Sequence, residues 1–225
     1  AEGSEWIKLE REDLNVFSAE RRLPTLDDAT AAAVIAAAHA QGLKALVHAS
    51  GREHARASLR DGADGLVHSF EDLPADAEFI ALARERDAFV VPTLSVVAAL
   101  GGEPSTLGED ARLAPWLSAA QRQTLGAGFG FGAPQPALLA QARANTRALH
   151  AAGITLLAGS DAPNPGTAHG VALHGELQQL VRAGLTPAEA LAAATARPAQ
   201  VFGLHDRGRI AVGLRADLLL VMGEP

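Results

Sequence analysis

Residues 44–50, KALVHAS, and residues 65–70, GLVHSF, are short apolar runs that each lead into a single histidine. Buried parallel strands read as continuous apolar stretches, and in parallel α/β folds the chemistry gathers at the carboxyl ends of the strands. A polar side chain at such an end therefore stands where functional groups stand. Two further runs repeat the pattern: residues 5–9, EWIKL, carry Lys8, and residues 154–163, ITLLAGSDAP, carry Asp161. Residues 88–95, AFVVPTLS, read as one more strand of the same kind.

The segments between these runs have helical spacing. Residues 27–42 form a helix that Asp27 or Asp28 can cap and Gly42 can end, residues 51–62 a short helix closed by Gly62, residues 74–87 another, and residues 136–153 a longer one stopped by Gly153. Strands alternating with helices imply parallel pairing through right-handed crossovers. The expected fold class is α/β. After Asp161, residues 169–184 and 186–203 read as helices, the second with Thr186 as cap, Pro187 in the first position and Glu189 completing a capping box. Residues 208–221, GRIAVGLRADLLLV, carry glycine punctuation and branched apolar residues that suggest short strands outside the main unit.

A stretch from about residue 99 to 135 is irregular and longer than loop statistics favour. Its alternating Gly126, Gly128, Gly130 and Gly132 with Phe129 and Phe131, and Trp116 upstream, suit either a mobile cover over the strand ends or an excursion that packs its aromatics on the wall.

Composition narrows the function. The chain has 225 residues, 48% of them hydrophobic, a formal charge of -7 and no cysteine. That supplies a sizeable core, disfavours a nucleic-acid surface, and leaves nitrogen and oxygen as the only donors for a metal. The opening AEGSEW lacks the basic and apolar regions of a signal peptide, and no run approaches a membrane span, so a soluble protein is expected, with the cytoplasm as the default compartment.

A metal-dependent hydrolase needs imidazole or carboxylate ligands, an open position for water and a base for that water's proton. His48 and His68, from the ends of neighbouring strands, can supply nitrogens to one ion. Asp161, after Gly159 and Ser160, is the candidate ligand and base, although Asp before Ala-Pro also serves as a turn cap. Lys8 can bind a metal only after modification, because an ammonium has no lone pair; reaction with carbon dioxide would make it a carbamate. His169 and His174 follow Asp161 near the expected mouth and are candidates for substrate contact, as is Arg52, which could meet a substrate carboxylate bidentately. His39, His54 and His150 fall on helices, where packing or solvated roles dominate.

The chain resembles the amidohydrolase superfamily, in particular metal-dependent hydrolases similar to imidazolonepropionase and to prolidase-like carboxypeptidases. The resemblance is carried by VHAS, LVHSF, GSDAP and the tail from residue 169 through residue 221. It implies that Lys8 is a carboxylated bridging lysine of barrel strand four, His48 and His68 are ligands of strands five and six, and Asp161 is the strand-eight carboxylate, with zinc, one or two divalent ions, as cofactor. It further implies a partial TIM-like (β/α)8 barrel over residues 1–205 and strands of a composite β-sandwich over residues 206–225. The superfamily's His-x-His pair is absent from the sequence, so the expectation is a fragment whose missing N-terminal half, or a complementary chain, completes the barrel, and whose open edges favour association as a homo-oligomer. The expected activity is hydrolysis of an amide, cyclic amide or peptide-like C–N bond in a small or dipeptide-like substrate, with a metal-activated hydroxide as nucleophile. The rival reading is a non-catalytic truncated barrel that binds a metal or a subunit. A sugar- or phosphate-binding barrel is disfavoured because no glycine-rich phosphate loop follows the last strands.

Overall fold

The computed structural model describes residues 3–18, 22–103, 105–130 and 133–223. Five strands, β1 (Trp6–Glu10), β2 (Lys44–His48), β3 (Gly65–Val67), β4 (Phe89–Val91) and β5 (Thr155–Leu156), form one sheet in the order β1-β2-β3-β4-β5. Every pairing is parallel. All five correspond to the apolar runs of the sequence. Helices α1 (Asp28–Ala40), α2 (Arg52–Arg60) and α3 (Ala77–Glu85) fill the successive crossovers. α4 (Leu94–Leu100), α5 (Ala119–Leu125) and α6 (Pro136–Ala151) lie between β4 and β5, and α7 (Ala172–Arg182), α8 (Pro187–Ala194) and α9 (Ala196–Val201) follow.

Strand alternation sorts the side chains into two faces. Leu9, Val47, Leu66, Val90 and Leu156 are register partners across the whole sheet, and all belong to the core packed with α1, α2, α3, α6 and α7. On the opposite face, Lys8, Leu46, Gly65, Phe89 and Thr155 form one row, with Glu10, His48, Val67 and Val91 one pleat higher. The base of that face is filled by aromatic edges: the Trp6 ring lies 4.9 Å from Phe202 and 6.0 Å from Phe89. Phe89 explains Gly65, since a Cβ there would meet its ring at 2.5 Å. Gly65→Ala should therefore cost about 1–3 kcal/mol in urea unfolding, and Phe89→Leu in the same chain should recover most of it.

Local signals behave as read at most helix ends. Asp27 caps α1 through Thr30 N at 2.7 Å, and Thr186 with Glu189 forms the capping box of α8. Three expectations are corrected. The run AFVVPTLS is strand only to Val91; Thr93 takes a left-handed φ of +52° and α4 begins at Leu94. Residues 186–203 form two helices rather than one, broken at Thr195, because Pro198 lacks an N–H and its ring opposes the carbonyl four residues back. The stretch 99–135 contains α5 and two 3₁₀ turns, with Ser118 and Gln121 forming a capping box that sequence reading passed over. Residues 208–221, expected as strands of a separate unit, find no strand neighbour among the described residues, and Ile210, Leu219 and Leu220 are exposed there.

Arg11, 1% exposed, ties the end of β1 to the helices. It bonds Asp61 Oδ2 at 3.0 Å beyond the end of α2, Ser58 Oγ at 3.4 Å, and Asp28 at the start of α1. Among the described residues no helix is long and apolar enough to cross a membrane.

Candidate metal centre

The two strand-end histidines meet. His48 Nδ1 and His68 Nε2 are 2.9 Å apart, with ring centroids at 4.3 Å. His48 points to this face by ordinary alternation. His68 does not: residue 67 already occupies the face, so residue 68 would turn toward the helices, and a left-handed φ of +78° breaks the alternation. Thr93 at φ +52° and Asp161 at φ +50° are distorted in the same sense at the ends of the next strands. Non-glycine residues pay for that region in strain, and such strain concentrates where a site over-determines geometry.

The hydrogen bonds fix the protons. Thr93 Oγ1 donates to Pro92 O at 2.8 Å, so at 2.5 Å it must accept from His68 Nδ1–H. Burial first, and then the charges of His48 and Lys8, hold His68 down at about 3, so its ring is neutral and Nε2 presents a lone pair to His48. On the far side, His48 Nε2 lies 3.6 Å from Glu12 Oε2. Burial pushes Glu12 up, but the bonds from His48, Ser50 N–H and Leu14 N–H outweigh it and hold the carboxylate at about 2. A neutral His48 has one N–H for two acceptors, His68 Nε2 and Glu12. If it serves Glu12, two lone pairs face each other.

That donor set fits a divalent cation. Two imidazole nitrogens on one tetrahedral zinc stand about 3.3 Å apart, close to the spacing here, and a hydroxyl bonded to the outer nitrogen of His68 with a carboxylate 3.6 Å from that of His48 are groups of the kind that orient metal-bound histidines. A third donor is not in place. Asp161 Oδ2 is 4.0 Å from His68 Nε2 and accepts from Asn164 Nδ2 at 2.9 Å. Burial raises the Asp161 carboxyl, against the lowering charges of Lys8 and His48. Lys8 is exposed and pairs in register with Leu46, one pleat below His48. Among the described residues no group of three or more His, Asp or Glu side chains forms that could hold a metal.

A cavity of about 160 Å³ opens on this centre, lined by His48, His68, Asp161, Asn164, Glu12 and Glu71 with an apolar wall that includes Val97 and Phe129. Phe129 thus brings part of the glycine-aromatic stretch to the site, whereas Trp116 is 85% exposed and Phe131 and Gly132 lie outside the described residues. His169 and His174 are exposed and do not line the cavity. Arg52 is turned away as well: it bonds Pro74 O at 2.9 Å and pairs with Glu53 and Asp76.

Sequence reading missed Glu12, Thr93, Asn164 and Glu176. Glu176 on α7 is fully buried and accepts from Leu94 N at 3.0 Å and Ser95 N at 2.8 Å. Thr93 is the N-cap residue of α4, but its hydroxyl is spent on His68 and Pro92, so the orphan amides of that helix take a carboxylate from another helix instead. The signal was present: Glu176 sits on the buried stripe Ala172, Glu176, Gln179, Leu180. Burial outweighs its backbone hydrogen bonds and raises it from 4.5 to about 7. Between those values the folded state keeps a proton that the unfolded chain has lost, so this group's contribution is full below pH 4.5 and is lost as pH rises to 7. Urea unfolding of Glu176→Gln from pH 4 to 8 should accordingly show a shallower fall in stability than the parent across that window; parallel curves would refute the assignment.

The profile of the amidohydrolase family matches residues 2–225. An imidazolonepropionase of Cereibacter sphaeroides is 43% identical over 81 residues, which are 34% of this chain and 20% of that protein. Among solved structures, a Xaa-Pro dipeptidase with bound methionine superposes with a TM-score of 0.70 at 22% identity, covering 99% of this chain and 50% of that one. A putative prolidase from Bifidobacterium longum gives 0.69 at 27% identity, covering 96% and 49%. The chain thus spans about half the length of the structures and a fifth of the curated relative it matches.

Proposed function

Because the chain belongs to the amidohydrolase family, we propose that it carries the metal-binding part of a hydrolase acting on an amide, cyclic amide or peptide-like C–N bond in a small or dipeptide-like substrate. The observation that carries this reading is the facing pair His48 Nδ1 and His68 Nε2 at 2.9 Å, with the second ring's proton committed to Thr93. His48 and His68 would hold a divalent ion, zinc suiting nitrogen donors, with Lys8 as a carbamate and Asp161 as further ligands to one or two ions. Such an ion supplies an acidified water and polarises a carbonyl. Asp161, braced by Asn164, takes the proton of the attacking water and passes it to the leaving amine. Thr93 and Glu12 keep the two rings oriented.

In the same reading the sheet is part of a TIM-like (β/α)8 barrel over residues 1–205, and residues 206–225 supply strands to a composite β-sandwich. The edges of β1 and β5, unpaired among the described residues, and the exposed Ile210, Leu219 and Leu220 support it, as surfaces suited to a complementary segment or a second copy. A non-catalytic metal- or subunit-binding module is the alternative, favoured by the lack of a third donor in place.

Zinc titration by calorimetry, with a panel of amides and dipeptides offered to the loaded protein, tests both. Zinc binding should vanish in His68→Ala and weaken about 10–100-fold in Thr93→Val. Binding without turnover selects the module; zinc affinity unaltered by His68→Ala defeats the metal centre itself.

A further inference from the structure

We infer that Glu71 is a specificity residue that receives a basic nitrogen of the substrate, an ammonium or guanidinium carried on a short apolar arm. The inference rests on the cavity being the hydrolytic site and adds the chemistry of what enters it.

Glu71 follows the β3 run, where its backbone N–H bonds Ser50 O at 3.0 Å and so anchors it beside the end of β2. The residue is 2% exposed and lines the same cavity as His48, His68 and Asp161. Its Oε2 is buried and has no hydrogen-bond partner among the described residues. A buried polar atom left without a partner is costly, and folded proteins keep few of them. The metal reading leaves this group unused, because its four ligands are Lys8, His48, His68 and Asp161.

The surroundings select the sign of the partner. Glu10, Glu12 and Asp161 share the cavity with Glu71, and none of its described lining residues is Arg or Lys. Arg52, the guanidinium nearest in sequence to His48, is engaged with Pro74 O, Glu53 and Asp76. A substrate carboxylate would therefore find three carboxylates beside Glu71 and no lysine or arginine among these described walls. A cationic nitrogen would meet an Oε2 that has no partner among the described residues, while Leu14, Val96, Val97 and Leu100 take the apolar arm. Burial, and then the carboxylates of Glu12 and Asp72, push Glu71 well above the usual carboxylate range, which is the condition that a neighbouring cation relieves.

The test is binding of four probes of similar size, butylammonium, butylguanidinium, pentanamide and pentanoate, followed by NMR titration of the full chain in EDTA, where no amine can coordinate a metal. The cationic probes should bind about tenfold or more tighter than the amide, with pentanoate weakest. Glu71→Gln, a neutral isostere whose fold is checked by its unfolding midpoint, should bring the cations and the amide to within about twofold, and Glu71→Asp should restore part of the preference. Equal binding of cationic and neutral probes, a preference that survives in Glu71→Gln, or no binding of any probe would each overturn the assignment. Failure of the hydrolytic reading looks different: the zinc-loaded protein turns over no amide, yet the preference for cations in EDTA persists.

Discussion

Asp161→Asn is expected to lower kcat for amide hydrolysis by the zinc-loaded protein about 10²–10⁴-fold, the range that general acid–base groups contribute. The substitution keeps the shape of the side chain and leaves an oxygen that can accept the 2.9 Å bond from Asn164 Nδ2. The left-handed backbone at φ +50° is also tolerated, since Asn is among the residues that adopt it most readily. What it removes is the ability to take a proton. The loss should thus fall on kcat with little change in KM, because proton transfer is made in the transition state and contributes nothing to holding the ground state. Asn164→Ala provides the contrast: it removes the brace while keeping the base, and should reduce the rate less. Steady-state kinetics on one good substrate would decide it. A variant Asp161→Asn that retains activity to within about threefold would remove Asp161 from the proton-transfer role.

The second large effect concerns stability. Asp61→Ala should cost about 3 kcal/mol or more, whereas Asp28→Ala should cost under about 1 kcal/mol. Both carboxylates pair with the buried Arg11, but the Asp61 side chain is 17% exposed and the Asp28 side chain 79% exposed. Water replaces a partner at the exposed end and cannot do so at the other. Removing Asp61 leaves a buried guanidinium whose Nε already lacks a hydrogen bond among the described residues and whose remaining carboxylate, Asp28, is solvated, and the penalty for a poorly compensated buried charge far exceeds what a solvated ion pair returns. Urea unfolding at constant pH measures both variants. Equal losses would mean that the pair with Asp28 carries the charge. Loss in neither would mean that Arg11 is held by its alkyl packing.

The way these features could be read from the chain differs by physical origin. Apolar runs identify strands because burial on a parallel sheet requires them, and all five runs became strands. Caps were legible for the same reason: Asp27, Thr186 and Glu189 act on amides within a few residues of themselves. The boundary at Thr93 was not legible, since Thr and Ser after a proline suit an extended strand as well as a cap, and the helix start was decided by Glu176 from 82 residues away. His48 could be placed by alternation, yet His68 depended on a backbone turn that no local pattern announces. Glu12 and Glu71 lay among other acidic residues with nothing to distinguish them until burial did. The strands expected in residues 208–221 have the composition of strands without a neighbour in the described chain to pair with.

The order of apolar runs, the capping residues and the absence of cysteine determined an α/β chain with parallel strands, polar groups at the strand ends and only nitrogen and oxygen donors for an ion. Those are properties of single residues and their near neighbours, which periodicity and side-chain chemistry express directly. Only the tertiary structure decided that His48 and His68 face each other, that Thr93 fixes the proton on the outer nitrogen of His68, that Arg52, His169 and His174 stand away from the cavity, and that the buried Oε2 of Glu71 has no partner among the described residues. Each of these depends on which distant segments pack together, because burial and hydrogen-bond partnership across dozens of residues are set by the assembled sheet and not by any window of the chain.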